Sequence, residues 1–346
     1  MCGLLGFIGQ STDPVISEKL TTALFIRTES RGIDASGFYC ISDFKNKNIY
    51  YHKQPVKSSI FINSDEYKSI WQNNLTAGLF HCRAASLGVG IPIINENNHP
   101  FVSNDLKKAV IHNGLISRID YDVLRNFYEC ETACDSEIVL RILEQESNSF
   151  ENLKIFFDNT ATSAYAIAFM ECTENDRTLY LFRNQERPLH ILDLSQELGQ
   201  IFFFSTVEIL FSSLADINLN FDNLRIHEIQ PHNLFAINYK DTNRINLKQF
   251  IVKSDNDETK IPMSARKINK KLSDWENKIQ STQVDITDTV MAMSNKLIEN
   301  MGNLQNKLQQ NVEFKKNDKV NAIFNYLRDA NKKFDNLKKL WGTDEF

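Results

Sequence analysis

Short apolar runs separated by turn residues fill the first two-thirds of the chain. Their β-rich composition predicts strands over 35–41, 76–83, 109–113, 163–170, 178–183, 200–205 and 234–239. Apolar positions recurring at steps of three and four predict helices over 15–27, 136–144 and 207–214. The strands arrive in blocks, with helices between blocks rather than after every strand. That order favours an α+β architecture over a doubly wound parallel sheet.

Near residue 255 the pattern changes. Residues 253–259 are polar and read as a linker, and Pro262 is the last of the seven prolines. Beyond it, apolar residues fall at Ile268, Leu272, Trp275, Ile279, Ile286, Val290, Met293, Leu297, Met301, Leu304, Leu308 and Val312. Most of those steps are threes and fours, the spacing of one helix face or of a coiled-coil seam, although Thr282 and Asn300 lie on or beside it. Residues 315–318 break the pattern, and a second helical run carries Val320, Ile323, Leu327, Phe334 and Leu340. The predicted organisation is a domain over 1–252, a linker over 253–263 and a helical or coiled-coil extension over 264–346. An exposed apolar stripe of that length needs a cover. Residues 264–341 are therefore expected to mediate association, as a homo-oligomer or with a partner, with folding back onto the domain as the competing arrangement.

Composition narrows the classes. The 346 residues are 42% hydrophobic and 24% charged, ordinary values for a chain with a sizeable core. Lys plus Arg number 39 against 44 Asp plus Glu, a formal net charge of −5, so the basic footprint of a nucleic-acid binder is missing. No apolar run approaches the roughly 18 residues of a membrane span. The opening residues lack the basic region and cleavage site of a secretory signal. Six scattered cysteines form no disulfide framework and no paired CxxC zinc pattern; Cys130 and Cys134 read as two unrelated thiols. Reduced thiols imply a cytoplasmic setting. No phosphate-binding GxxxxGK[ST] loop occurs, and neither a metal nor a cofactor is expected.

One cysteine has an unusual address. Methionine aminopeptidases remove Met1 before a small residue, which would leave Cys2 with both a thiol and a free α-amine. That amine has a reference pKa of about 7.7–8.0, so an unprotonated fraction is available at neutral pH as base for the residue's own thiol. A position-2 cysteine alone says little. Four further segments change its meaning: Arg31-Gly32-Ile33-Asp34-Ala35-Ser36-Gly37, His81-Cys82-Arg83-Ala84-Ala85-Ser86-Leu87-Gly88 with Asn98-His99-Pro100-Phe101 after it, His112-Asn113-Gly114, and Cys134-Asp135-Ser136-Glu137.

Together with the opening Met1-Cys2-Gly3-Leu4-Leu5-Gly6, these segments resemble, in order, the motifs of the class II glutamine amidotransferases. Their catalytic domain belongs to the N-terminal-nucleophile hydrolases. The resemblance covers roughly residues 2–250 and implies a four-layer αββα sandwich. It also implies the roles. Cys2 is the nucleophile, while Asn113 and Gly114 form the oxyanion hole. Arg83, assisted by the Ser86 hydroxyl, holds the α-carboxylate of L-glutamine, and Asp135 its α-ammonium; Arg31 and Gly32 shape the wall around Cys2. The family chemistry uses no histidine base, so His81, His99 and His112 read as core residues. Later segments, Leu181 to Leu189 and Phe204 to Glu208, resemble a hairpin and a turn of the family scaffold.

Two departures stand out: Ala84 replaces a common aromatic, and Cys134 a hydroxyl residue. No acceptor domain is recognisable after residue 255. The implied enzyme is a glutaminase giving glutamate and ammonia to a synthetase or transferase subunit in trans. The rival is a catalytically inert structural or partner-binding protein on the same fold, with Met1 retained and the helical arm as interaction element.

Overall fold

The computed structural model describes residues 1–250, apart from 43–47, 87–89, 146, 174–176, 222–223 and 240–244. The linker and helical extension expected over 253–346 lie outside the described residues.

Two antiparallel sheets form the centre. In chain order the strands are β1 (Gly3–Ile8), β2 (Ala35–Ser42), β3 (Asn48–Gln54), β4 (Leu75–Arg83), β5 (Phe101–Val102), β6 (Lys108–Leu115), β7 (Ala164–Cys172), β8 (Arg177–Arg183), β9 (His190–Leu194), β10 (Gln200–Phe204), β11 (Arg225–Glu228), β12 (Asn233–Asn238) and β13 (Ile245–Gln249). One sheet has the order β11-β9-β10-β1-β4-β2-β3 and the other β13-β12-β8-β7-β6-β5. The helices are α1 (Pro14–Arg27), α2 (Ser58–Phe61), α3 (Asp65–Ile70), α4 (Arg118–Arg125), α5 (Glu137–Leu143), α6 (Ser149–Asp158) and α7 (Val207–Asp216). Among the described residues no helix is long and apolar enough to cross a membrane.

Strand alternation sorts the side chains into layers. On β1, Leu5 and Phe7 pack with Leu20, Leu24 and Phe25 of α1 and Leu210 of α7, while Leu4 and Ile8 face the other way. There they meet Ala109 and Ile111 of β6, Ala166 and Ala168 of β7, and Leu179 and Leu181 of β8. The far sides of β6, β7 and β8 place Val110, Ile167 and Phe182 against Leu124 of α4, Ile138 of α5 and Phe156 of α6. The result is the four-layer αββα sandwich, helices outside and sheets within. Small alanines on the inner face of the second sheet let the two sheets approach closely.

One local expectation is corrected. The segment from Leu181 to Leu189 is no hairpin: β8 lies in the six-stranded sheet and β9 in the seven-stranded one, so the chain crosses between sheets. The buried Arg183 guanidinium turns it, donating to the carbonyls of Ile229, Asn184 and Gln185 and pairing with Glu228 at 2.6 Å. Those carbonyls would otherwise lack ladder partners where the chain leaves the sheet. The following Ser205 fixes the start of β1: its hydroxyl accepts from the Leu4 N–H at 2.9 Å and donates to the Leu4 carbonyl at 3.3 Å.

Candidate active site

Register and alternation bring the sequence-predicted residues to one end of the space between the sheets. Gly3 pairs with Cys82, which sets Cys2 beside Arg83 at the end of β4. Leu4, Leu79 and Ile111 all point between the sheets, and by the same two-residue period Cys2, Arg83 and Asn113 share that face. Gly114 continues β6, and Asp135 stands just before α5, which covers the second sheet.

The Cys2 side chain is 9% exposed. Its sulfur accepts from the Ala84 N–H at 3.4 Å and lies 3.5 Å from the Ala84 carbonyl. Burial pushes the thiol pKa up; the Ala84 peptide, the Arg83 cation and the amino terminus pull it down, and Asp135 raises it again. Arg83 and Asp135 therefore both lie within electrostatic reach of the sulfur. Arg31 donates Nε–H to the Cys2 carbonyl at 2.9 Å. Gly32 packs so tightly on the Arg83–Ala84 peptide that a Cβ would fall 2.4 Å from the Arg83 carbonyl carbon. Met1, still joined to Cys2, is 67% exposed.

Buried Arg83 donates to the Asn98 side-chain oxygen at 2.7 Å and to the Gly90 carbonyl at 2.8 Å. Asn98 is itself held. Its amide donates to the Pro92 carbonyl at 2.7 Å, and the Lys53 ammonium caps the carbonyls of Asn98, Glu96 and Pro100 at 2.6, 3.3 and 3.3 Å. Burial lowers the Lys53 pKa to about 8. Asp34 accepts from the Ala85 N–H at 2.7 Å and donates its own backbone N–H to the Arg83 carbonyl. Ser86 lies exposed, three residues past the buried Arg83.

Asn113 is fully buried, yet neither atom of its side-chain amide has a hydrogen-bond partner among the described residues. An unpaired buried amide costs about 1–3 kcal/mol, so such groups in native proteins call for an explanation. An oxyanion donor that meets its partner only with substrate bound supplies one. Gly114 is needed for close approach, because a Cβ would fall 1.9 Å from the Ala164 carbonyl oxygen.

Asp135 accepts from the Ile116 N–H at 2.8 Å. The loop ahead of it is pinned by Glu137, which accepts from the N–H groups of Glu131 and Thr132 at 2.9 and 2.6 Å and pairs with Arg141 at 2.7 Å. Burial alone would raise the Glu137 pKa; these donors hold it below the usual value. Asn97 ties the loops together, accepting from the Ala133 N–H at 3.0 Å.

His81, His99 and His112 gather behind this end of the sandwich. His81 and His99 stack at 4.0 Å, and His81 Nε2 donates to the His112 carbonyl at 3.0 Å, bridging the two sheets. Burial lowers all three pKa values, that of His81 to about 3. They stay neutral at physiological pH. Sequence reading assigned no role to Lys53, Asn97 or Asn98; the only available signal for Asn98 was its place in the Asn-His-Pro-Phe segment.

No protein-family model matches the chain. Glutamine–fructose-6-phosphate aminotransferase (isomerizing) of Oceanobacillus iheyensis is 28% identical over 192 residues, 54% of this chain and 29% of that protein. The enzyme of the same name from Bacteroides thetaiotaomicron is 30% identical over 183 residues, 49% of this chain and 27% of its own length. Among solved structures, glutamine phosphoribosylpyrophosphate amidotransferase from B. subtilis matches with a TM-score of 0.53 at 18% identity, covering 73% of this chain and 50% of that one. A structure described as the allosteric regulatory enzyme of purine biosynthesis gives 0.54 over the same shares. The chain thus resembles these aminotransferases over about half its length, and its αββα fold is similar to that of the solved amidotransferase structures. It spans less than a third of the length of these curated relatives.

Proposed function

We propose that this domain hydrolyses the side-chain amide of L-glutamine through a Cys2 thioester and passes the ammonia to an acceptor enzyme in trans. The observation that carries the reading is the buried Asn113 amide, without a hydrogen-bond partner among the described residues, at the same end of the inter-sheet space as Cys2 and Arg83.

After Met1 removal, the Cys2 α-amine takes the thiol proton as sulfur attacks the amide carbon. The oxyanion that forms accepts hydrogen bonds from Asn113 Nδ2 and the Gly114 N–H. The amine then returns the proton to the leaving nitrogen, and ammonia departs as the carbon–nitrogen bond breaks. Water attacks the thioester with the same amine as base, giving glutamate and the free thiol. Arg83 and Asp135, opposite charges that both act on the Cys2 thiol, suit the α-carboxylate and α-ammonium of the substrate, and Ser86 supports the carboxylate end. A charged pair of this kind selects a zwitterion over simple amides.

Ammonia is mostly protonated at neutral pH and then a poor nucleophile, which favours direct use by a separate synthetase or transferase over release. The full chain, reduced and cytoplasmic in this reading, should show more glutaminase activity with that partner and its substrate present. Diazo-oxo-norleucine should label Cys2 of processed protein and leave Cys2→Ala unmodified; unlabelled processed protein would sink the reading. Intact mass decides the rival. Met1 retained on the isolated protein leaves Cys2 without a free amine and favours the inert, partner-binding alternative.

A further inference from the structure

The polar groups beneath the proposed oxyanion hole form a chain with a direction. Ser136 Oγ donates to Asp135 Oδ1 at 3.3 Å and lies 2.7 Å from His112 Nδ1. A hydroxyl has one proton. With that proton on Asp135, Ser136 accepts from His112, which fixes the imidazole as its Nδ1–H tautomer. His112 Nε2 then bears the lone pair, buried and without a partner among the described residues, directly under Gly114.

The other carboxylate oxygen closes the frame. Asp135 Oδ2 accepts from the Ile116 N–H at 2.8 Å. Asp135 is thus tied to the end of β6 at two places: through Ser136 to residue 112, and directly to residue 116. Asn113 and Gly114 lie between those ties. The His112 carbonyl, in the peptide leading to Asn113, is held from the opposite sheet by His81 at 3.0 Å.

We propose that Ser136 is a positioning residue coupling recognition of the substrate ammonium at Asp135 to placement of the oxyanion donors at Asn113 and Gly114. An ammonium on Asp135 orients the carboxylate, and the carboxylate, through Ser136 and Ile116, orients the strand segment that stabilises the transition state. Selectivity for an α-amine then appears in the chemical step as well as in binding. This inference rests on the domain being a glutamine amide hydrolase.

The test compares Cys2 alkylation in the full chain by diazo-oxo-norleucine and by its desamino counterpart, 6-diazo-5-oxohexanoate, which keeps the carboxylate and reactive carbon. In Ser136→Ala the amine-bearing reagent should react about tenfold more slowly or worse, the scale of a lost hydrogen bond to a charged group, while the desamino reagent changes less than about twofold. Ser136→Thr should restore the amine-bearing rate to within about threefold. If the Ala variant does not fold, Ser136→Cys, similar in volume but a weaker hydrogen-bonding group, takes its place. Equal slowing of both reagents, or no slowing of either, overturns the coupling while leaving the hydrolase reading intact. Wild-type protein unlabelled by the amine-bearing reagent overturns the hydrolase reading and this proposal with it.

Discussion

The two sheets contribute to the site in different ways. Cys2 and Arg83, from the seven-stranded sheet, are engaged by protein atoms: the thiol by the Ala84 peptide, the guanidinium by Asn98 and Gly90. From the six-stranded sheet comes Asn113, whose side-chain amide is buried and open. At this site the first presents groups held in place, and the second an amide that no described residue engages. The contrast teaches that the candidate site belongs to the packing of the sheets, since neither alone brings the Cys2 thiol together with the Asn113 amide. A held cation is preorganised for its anion, and an open buried donor is most useful where charge develops only transiently.

The largest expected effect is on the proposed nucleophile. Cys2→Ala should reduce glutamine hydrolysis to background while leaving the melting temperature near that of wild type, because little buried volume is lost. Next comes a change in the held sheet remote from the chemistry. Phe80 packs against Phe7, Phe25, Phe38, Tyr67 and Trp71 on the helix-facing side, and Phe80→Ala should cost about 3–5 kcal/mol of stability by urea denaturation. A loss below about 1 kcal/mol would mean that this layer is not close-packed.

Asn113→Ala should do the opposite. Removing an oxyanion donor should lower kcat by about 100- to 1,000-fold, roughly 2.7–4 kcal/mol of barrier. Stability should hardly fall, since that amide makes no hydrogen bond to the described residues. A variant that melts much earlier, with kcat intact, would make Asn113 a structural residue and end the contrast between the sheets.

The smallest effect per group concerns the histidines at the seam. Their folded-state pKa values lie below the ordinary 6.5, that of His81 at about 3. Above pH 6.5 both folded and unfolded chains leave them neutral, and stability is full. As pH falls below 6.5 the unfolded chain takes up protons that the folded chain refuses. Stability then drops by about 1.4 kcal/mol per pH unit for each histidine until its folded pKa is reached. Urea midpoints measured between pH 7.5 and pH 5 should therefore decrease; a flat profile would show that these imidazoles are solvated.

Much of the architecture was legible along the chain. The predicted strands at 35–41, 76–83, 109–113 and 178–183 coincide with β2, β4, β6 and β8, and the three predicted helices with α1, α5 and α7. Alternation over five or more residues is a local property, and a buried strand cannot lose it without exposing apolar surface. Shorter or less regular elements escaped. Among those missed are β3, whose Asn-Ile-Tyr-Tyr-His-Lys-Gln shows no strict apolar alternation, the short edge strand β13, and the helices α4 and α6. The residue types proposed for the chemistry stand in order, from Cys2 to Asp135, because thiol, guanidinium, amide and carboxylate are named by covalent structure.

Only the tertiary structure decided which of those groups are held and which are open. Nothing in the sequence marks Lys53 as the cap on the loop that supports Asn98 and Arg83, or Ser136 as the link from His112 to Asp135. It likewise took the fold to turn the expected 181–189 hairpin into a crossing between sheets, with Arg183 satisfying the carbonyls there. Most of these contacts join residues 15 or more positions apart, and such hydrogen bonds exist only once the chain has folded back on itself. Local patterning fixes what each segment becomes; long-range packing determines which polar atoms find partners and which are left for a substrate.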